Sequence, residues 1–261
     1  MIDIHCHVLY GVDDGPFDLE ASLQLCKLSF KEGIRKIIST PHYIIGENCG
    51  HDIKERITVL NNELRKNYIK MEIYPGNEAF IDYNLVDKLV SGECLTLNNS
   101  RYMLLELPML EVPRFTAEVI YEIQLKGYVP IIAHPERNRV ICEKPEIIYK
   151  LVKDGCLVQL NSTSLMGHSG EKSQNAAKQL LKHNLAHFIA TDAHSTGVRR
   201  PIMLGVKHML LELCGSQAAE RILGANPNAV LQDGDIDIGE PIPIEKTHKF
   251  WQVFKSIDIK Q

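Results

Sequence analysis

Short apolar segments that are typical of β-strands alternate with amphipathic segments that are typical of helices through most of this chain. Strands separated by helices pair in parallel through right-handed crossovers, and strands covered by helices are apolar. The alternation predicts an α/β fold, with a closed or nearly closed barrel as first choice and a doubly wound open sheet as second. The predicted strands are Ile2 to Val8, Ile34 to Ser39, Glu72 to Tyr74, Tyr102 to Leu107, Val129 to Ala133, Leu157 to Leu160 and Phe188 to Thr191.

Two of the predicted helices begin at capping aspartates, and two end at glycines. Asp18 is expected to cap the first helix and Gly33 to end it. The other helices are expected from Asp52 onward and over residues 114–126, 145–153, 172–183, 201–214 and 217–223. We predict a single barrel domain over residues 1–230. A C-terminal tail over residues 231–261, which includes Trp251, is expected to pack on the barrel or to contact a partner.

Composition excludes several classes of protein. The 261 residues include 29 basic and 33 acidic ones, giving a net charge of −4, so nucleic-acid binding through counterion release is not expected. The first residues do not resemble a signal peptide, and no apolar segment approaches the roughly 18 residues that span a bilayer. Seven cysteines without CxxC spacing argue against a disulfide framework. We therefore expect a cytoplasmic protein that is not an integral membrane protein.

Side chains of the types that bind metal ions recur where the predicted strands end. Six of the seven strands end in or are followed by His, Asp or Glu, and the C-terminal ends of barrel strands meet at one mouth. In the first strand, His5 and His7 lie two residues apart and so face the same side. The pattern predicts a metal site. The residues concerned are His5, His7, Asp14 (with Asp13 as its alternative), His42, Glu78, Glu106, His134, Asp192 and His194.

The ligand types and their charges indicate which ions fit. Nitrogen and oxygen ligands suit Mn, Fe, Zn or Mg. The carboxylates of Asp14, Glu78, Glu106 and Asp192 would repel one another and take up protons without cations. With one bound hydroxide, two divalent ions leave the site negative and three leave it positive. Of these two cases, only the site with three ions has a net positive charge, which favours an anionic substrate.

Two arginines follow these strand ends and suggest that the anion is a phosphate. Arg137 lies three residues beyond His134, and Arg199 lies shortly after His194. A guanidinium group can donate two parallel hydrogen bonds to two oxygens of one phosphate. The main chemical rival, a cysteine-nucleophile phosphatase, needs an arginine six residues after its cysteine. None of the seven cysteines has one, so that mechanism is not expected.

Five ordered motifs resemble the polymerase and histidinol phosphatase (PHP) superfamily. They are Met1-Ile2-Asp3-Ile4-His5-Cys6-His7, Gly11-Val12-Asp13-Asp14-Gly15, Ser39-Thr40-Pro41-His42, His134-Pro135-Glu136-Arg137 and Thr191-Asp192-Ala193-His194. They are most similar to its bacterial protein-tyrosine phosphatase branch, the CpsB/CapC/YwqE group of capsule and exopolysaccharide operons. The resemblance runs from residue 1 to about residue 230. It implies a distorted (β/α)7 TIM-like barrel, the PHP fold, with three divalent ions that are often manganese.

The resemblance also implies a role for each motif residue. The implied ligand sets are His5, His7, Glu78 and Asp192 for one ion; Glu78, Glu106 and His134 for a second; and Asp14, His42 and His194 for a third. Asp14 is preferred to Asp13, but the sequence leaves this open. Arg137 and Arg199 are implied to contact phosphate. Glu106 is a carboxylate where many superfamily relatives carry a histidine, as expected of this branch.

The group implies a metal-dependent protein-tyrosine phosphatase that acts on the tyrosine-rich C-terminal tail of a partner tyrosine autokinase. Such an enzyme would tune polysaccharide chain length or export. The expected reaction is attack by a metal-bound hydroxide. A tyrosyl leaving group, with an intrinsic pKa near 10, needs little help from a general acid. Two alternatives stay open: the same barrel acting on a small phosphoester such as histidinol phosphate or a nucleotide, and a non-catalytic metal-binding adaptor.

Overall fold

The structure is a computed structural model that describes residues 1–46 and 52–244. Strands and helices alternate along these residues, as the sequence predicts. The strands are β1 (Ile2–Cys6), β2 (Lys36–Ser39), β3 (His42–Tyr43), β4 (Glu72–Tyr74), β5 (Glu78–Phe80), β6 (Tyr102–Glu106), β7 (Val129–Ala133), β8 (Leu157–Asn161) and β9 (Phe188–Ala190). The helices are α1 (Leu19–Lys31), α2 (Ile53–Lys66), α3 (Leu85–Val90), α4 (Thr116–Leu125), α5 (Arg139–Glu143), α6 (Glu146–Lys153), α7 (Ser162–Leu165), α8 (Glu171–Lys182), α9 (Leu204–Glu220) and α10 (Asn226–Gln232).

The strands pair in parallel and close into one barrel. β1 pairs with β2 and β2 with β4, while β3, β5, β6, β7, β8 and β9 pair in that order. A parallel bridge between Cys6 and Ala193 joins the end of β1 to the segment after β9. The amide of His7 also donates to the carbonyl of Ala193 over 2.9 Å. These contacts close the barrel and confirm the first of the two predicted architectures.

Two of the seven predicted strands are each followed, beyond a proline, by a second short strand that was not predicted. β2 and β3 occupy one position around the barrel and are separated at Pro41, while β4 and β5 are separated at Pro75. Proline has no backbone N–H and interrupts a ladder. The described residues therefore contain nine strands at seven barrel positions. His42 and Glu78 follow β2 and β4, as predicted, and they also begin β3 and β5, where they pair directly.

The buried side chains form an outer layer between strands and helices and an inner layer inside the barrel. The inner layer joins residues from opposite sides of the barrel, including Ile4 of β1, Leu104 of β6 and Phe188 of β9. Fully buried apolar side chains of this size each contribute about 1.5–3 kcal/mol to folding. This packed floor leaves the polar side chains at the C-terminal mouth as the accessible end of the barrel.

The C-terminal part of the described chain closes the other end of the barrel. Val230 of α10 is fully buried in the inner layer. The hydroxyl of Tyr102, at the start of β6, donates to the carbonyl of Gly234 over 2.7 Å.

The last helices differ from the sequence prediction. The predicted boundary between two helices near residue 215 lies within α9, which has a non-helical residue at Gly215. Helix α10 was not predicted. Trp251 and the other residues after residue 244 lie outside the described residues. No helix in the described ranges is long and apolar enough to cross a membrane.

Candidate metal centre

All nine side chains predicted as metal ligands converge at the mouth of the barrel. They come from every barrel position except that of β8. Their positions are His5 at the end of β1 with His7 and Asp14 beyond it, His42 in β3, Glu78 in β5, Glu106 at the end of β6, His134 after β7, and Asp192 and His194 after β9. His5, His7 and Glu78 are fully buried, whereas Asp14 is exposed at the rim. Residues as far apart in the chain as His5 and His194 thus share one site.

Their donor atoms form three overlapping groups, in each of which the atoms lie within 4.8 Å of one another. The groups are His5, His7, Glu78 and Asp192; His42, Glu78 and Glu106; and His7, Asp14, His42 and His194. His134 adjoins the second group, since its Nε2 lies 2.7 Å from Glu78 Oε1 and 3.8 Å from Glu106 Oε1. Glu78 belongs to two groups, so one carboxylate is placed where it could bridge two ions.

Two of these residues have left-handed backbone conformations directly after a barrel strand. The φ angle is 30° at His134 and 50° at Asp192. A residue other than glycine in this region costs of the order of 1–3 kcal/mol. The abrupt turn brings each side chain into the donor cluster instead of continuing the strand. Strain of this kind is concentrated at functional sites.

Three imidazoles are held so that Nε2 faces the cluster. In each, Nδ1 donates to an oxygen that accepts, which places a hydrogen on Nδ1 and leaves Nε2 as the nitrogen that can bind an ion. The acceptors are Gln159 Oε1 for His5 at 2.8 Å, Asp13 Oδ2 for His7 at 2.7 Å and the backbone carbonyl of Asp192 for His194 at 2.9 Å. The Nε2 atoms of His5 and His7 lie 3.2 Å apart, consistent with two ligands of one ion.

The two neighbouring aspartates of the first loop have different partners. Asp13 is mostly buried and accepts from His7, from the amide of Gly15 at 2.9 Å and from the amide of His42 at 3.2 Å. Asp14 Oδ1 instead lies 3.1 Å from His194 Nε2. The geometry therefore favours Asp14 as the ligand and gives Asp13 the task of orienting His7.

Two buried polar atoms of the cluster have no hydrogen-bonding partner among the described residues: Glu78 Oε2 and His194 Nε2. Glu78 Oε2 lies 3.1–3.3 Å from nitrogens of His5, His7 and His42, but none of these contacts has hydrogen-bond geometry. An orphaned carboxylate oxygen is costly unless a cation satisfies it. The donor set of imidazole nitrogens and carboxylate oxygens fits divalent ions such as Mn²⁺, Fe²⁺ or Zn²⁺.

Without cations, protons must balance the clustered carboxylates. Burial raises the pKa of Glu78, but the charge of His5 and the hydrogen bond with His134 hold the pKa well below its usual range. Burial also opposes a charge on His7, yet its hydrogen bond to Asp13 and the neighbouring carboxylate of Glu78 raise its pKa to about 10. The stacked ring of His194, 3.7 Å away, has a pKa lowered to about 3 by burial and by the charge of His7. The site thus attracts positive charge, which bound ions would supply in place of protons.

Both predicted phosphate-binding arginines lie at the rim of the cluster. Arg137 Nη1 donates to Asp192 Oδ2 over 2.9 Å. Arg199 Nη1 and Nη2 donate to Asp14 Oδ2 and Asp192 Oδ1 over 2.9 and 3.2 Å. Each guanidinium keeps further N–H donors, and each side chain is about a third exposed. Beside them is a polar cavity of about 140 Å³ whose lining includes His168.

Comparison with known proteins places the chain in a family. The model of the family of capsular polysaccharide synthesis, CpsB/CapC, matches residues 1–232. The chain belongs to the CpsB/CapC family. The tyrosine-protein phosphatase YwqE of Bacillus subtilis is 36% identical over 252 residues, which cover 96% of this chain and 99% of YwqE. The putative tyrosine-protein phosphatase CapC of Staphylococcus aureus is 38% identical over 208 residues, which cover 78% of this chain and 80% of CapC.

A solved structure of the CpsB/CapC family has the same fold. It is described as one of the crystal structures of YwqE from Bacillus subtilis and CpsB from Streptococcus pneumoniae, "unique metal-dependent tyrosine phosphatases". Its TM-score to this chain is 0.90 at 36% identity, and the match covers 94% of this chain and 100% of that one. The predicted family is therefore confirmed.

Three buried cysteines of this CpsB/CapC chain are unsuited to act as nucleophiles. Cys6, which lies between His5 and His7 in the sequence, is fully buried, and burial followed by the charge of Asp3 raises its pKa well above its ordinary value. Burial likewise raises the pKa of Cys26 and Cys156 to about 12. A nucleophilic thiol needs a lowered pKa. The thiols of Cys6, Cys26 and Cys156 are therefore not activated for nucleophilic attack.

Sequence reasoning missed the polar residues that surround the CpsB/CapC cluster. Gln159 and Asn161 of β8 are buried and hydrogen-bonded to its members. The available signal was two amides in an otherwise apolar strand. Among the histidines outside the cluster, His183 and His208 lie at the surface, whereas His187 is buried. His51 lies outside the described residues.

Proposed function

We propose that this barrel mouth hydrolyses phosphotyrosine with divalent metal ions as cofactors. The chain is a metal-dependent protein-tyrosine phosphatase of the CpsB/CapC family, a family of capsular polysaccharide synthesis. The observation that carries the proposal is the orphaned oxygen of Glu78 among three imidazole nitrogens. An arrangement of this kind, buried and rich in carboxylates, is explained by bound cations.

The ligand sets that we propose follow the three donor groups. The sets are His5, His7, Glu78 and Asp192; Glu78, Glu106 and His134; and Asp14, His42 and His194. Three ions would outweigh the negative charge of the four carboxylates and so favour an anionic substrate. Manganese is the proposed metal, with iron, zinc and magnesium as alternatives that suit the same ligands.

The reaction needs a nucleophile, charge stabilisation and orientation of the phosphoryl group. Bound divalent ions lower the pKa of water and stabilise negative charge on phosphoryl oxygens. We propose that Arg137 and Arg199 bind the remaining phosphate oxygens through N–H donors that do not contact Asp14 or Asp192. Their contacts with these aspartates hold the guanidinium groups at the rim of the site.

The proposed substrate is a phosphotyrosine in a protein, namely in the tyrosine-rich C-terminal tail of a partner tyrosine autokinase. Its removal would regulate the synthesis or export of capsule or exopolysaccharide. The proposed location is the cytoplasm, where such a kinase tail would be phosphorylated. Family membership and the tyrosine phosphatase relatives support this assignment.

The test compares substrates and metal content in the same preparation. Purified protein, stripped of metal and reloaded with Mn²⁺, is assayed on a phosphotyrosine peptide and on histidinol phosphate. A clear preference for the peptide is expected, whereas a preference for histidinol phosphate would favour a small-molecule phosphoesterase. His134→Ala should lose one ion by elemental analysis and most activity, while thermal unfolding shows a folded protein. Absence of hydrolysis with every divalent ion would favour an adaptor.

A further inference from the structure

We infer that Gln159 and Asn161 of β8 are positioning residues of the metal centre, which orient His5 and Asp192 toward the same ion. Of the seven barrel positions in the described residues, that of β8 supplies none of the nine proposed ligands. The side-chain amides of Gln159 and Asn161 instead connect His5 of β1 with Asp192, which follows β9. The inference rests on the proposed metal-dependent function.

The first link sets the tautomer and the orientation of His5. His5 Nδ1 donates to Gln159 Oε1 over 2.8 Å. The amide orientation of Gln159 is set in turn, because its Nε2 donates to Asn161 Oδ1 over 2.9 Å. With the nitrogen of Gln159 committed to Asn161, only its oxygen can face His5. His5 must therefore carry its hydrogen on Nδ1 and present Nε2 to the cluster.

The second link fixes the carboxylate of Asp192. Asn161 Nδ2 donates to Asp192 Oδ2 over 2.7 Å, and Arg137 Nη1 donates to the same oxygen over 2.9 Å. Asp192 Oδ1, which also accepts from Arg199 Nη2 over 3.2 Å, lies on the side of the cluster, 3.5 Å from His5 Nε2. Two donors on one oxygen thus direct the other oxygen toward the ion that His5 would bind.

The network is anchored in the protein interior and does not depend on solvent. Gln159 is fully buried and Asn161 is 2% exposed. The backbone amide of Asn161 donates to Glu136 Oε1 over 2.9 Å, and Glu136 is itself fully buried. A buried network in which each amide has a determined donor and acceptor allows one arrangement of its members.

Groups that hydrogen-bond to metal ligands tune metal affinity without touching the ion. Loss of such a partner typically weakens metal binding or activity about 10- to 100-fold. In this protein, loss of the Gln159 oxygen would free His5 to rotate and to place its hydrogen on Nε2. Loss of the Asn161 nitrogen would leave only Arg137 on the outer oxygen of Asp192.

The experiment measures Mn²⁺ binding rather than activity alone. Gln159→Leu and Asn161→Leu are titrated with Mn²⁺ against a competing chelator over a range of pH. Asn226→Leu serves as the matched control, because Asn226 is another buried amide that donates to a backbone carbonyl, that of His187, outside the metal centre. Thermal unfolding of every variant reports the cost to the fold.

We expect the two β8 variants to bind one Mn²⁺ about 10- to 100-fold more weakly than wild type, while Asn226→Leu loses thermal stability but no Mn²⁺ affinity. Gln159→Glu, which retains an oxygen acceptor for His5, should recover much of the affinity that Gln159→Leu loses. Equal Mn²⁺ affinity in wild type and both β8 variants would overturn the inference. So would equal losses in Gln159→Leu and Gln159→Glu. Wild-type protein that neither binds Mn²⁺ nor hydrolyses phosphotyrosine would instead contradict the proposed function.

Discussion

Asp13 accepts a 2.7 Å hydrogen bond from Nδ1 of His7 and so turns His7 Nε2 toward the donor cluster. The next residue, Asp14, has its Oδ1 3.1 Å from His194 Nε2. Carboxylate–histidine–metal arrangements are common around catalytic ions, where the carboxylate fixes the tautomer and raises the basicity of the ligand. Adjacent aspartates of one loop are thus placed for different tasks.

The Asp13–His7 bond predicts that the two aspartates differ in their effect on metal binding. Asp14→Ala should lower by one the number of ions bound at saturating Mn²⁺, because a ligand is removed. Asp13→Ala should leave that number unchanged but weaken binding about 10- to 100-fold, because His7 is no longer oriented. Elemental analysis and chelator competition measure both quantities. The opposite pattern would make Asp13 the ligand.

Arg137 is predicted to act on substrate more than on metal. Arg137→Ala should lower kcat/KM for a phosphotyrosine peptide about 10- to 100-fold, the loss expected for one charged hydrogen bond in the transition state. Its Mn²⁺ content should persist, because Asn161 still holds Asp192. Arg139→Ala is the control, since Arg139 is well exposed and lies 3.8 Å from Glu143 on the same helix. A near wild-type kcat/KM for Arg137→Ala would remove this residue from the site.

Metal binding is predicted to release protons at neutral pH. In the metal-free protein, the hydrogen bond to Asp13 and the neighbouring carboxylate of Glu78 outweigh burial and raise the pKa of His7 to about 10. His7 is therefore protonated at pH 7 and must lose this proton before Nε2 can bind an ion. Mn²⁺ affinity should rise as the pH increases toward 10. Calorimetric titrations in buffers of different ionisation enthalpy measure the protons released, and a value near zero would contradict the assignment of His7.

His187 is predicted to make the fold sensitive to acid independently of the metal centre. Its Nδ1 accepts from the amide of Val158 over 3.0 Å. Burial, and then the charge of Arg221, lower its pKa to about 4. The unfolded chain takes up a proton near pH 6.5, so the stability contributed by neutral His187 is present above that pH. It is lost as the pH falls from about 6.5 through 4.

The test of His187 uses a variant that keeps its acceptor. His187→Asn retains an oxygen for the Val158 amide but cannot titrate. Between pH 6.5 and 4, the free energy of unfolding of the metal-free variant should fall less steeply than that of the metal-free wild type. Denaturant unfolding at several pH values measures the two slopes. Parallel slopes would show that His187 does not titrate as described.

Much of the barrel and of the donor cluster could be predicted from local patterns. The predicted limits of the third and fifth strands, Glu72–Tyr74 and Val129–Ala133, agree with β4 and β7. Asp18 caps α1 as predicted, with its Oδ1 accepting from the amide of Ala21 over 2.8 Å. Parallel strands place their C-terminal ends at one mouth, so residues that follow those ends meet there whatever their separation in the chain.

Other features depend on contacts that no local pattern encodes. The short strands β3 and β5, which follow Pro41 and Pro75, were missed because a proline after an apolar run also suits the end of a strand. The short helices α3, α5 and α7 were also missed, since helices of four to six residues carry little periodicity. α10 was missed because its stability comes from Val230 in the barrel interior.

The sequence by itself determined the chemistry of this protein: which residue types end the strands, which family the motifs indicate and, from both, a metal-dependent attack on phosphate. Only the tertiary structure decided how those residues are held. It separated Asp13 from Asp14 and placed Gln159 against His5, 154 residues away in the chain. The physical reason is that a metal ligand is recognisable by its type, whereas a hydrogen-bond partner is defined by position and direction. Those exist only once the barrel has closed.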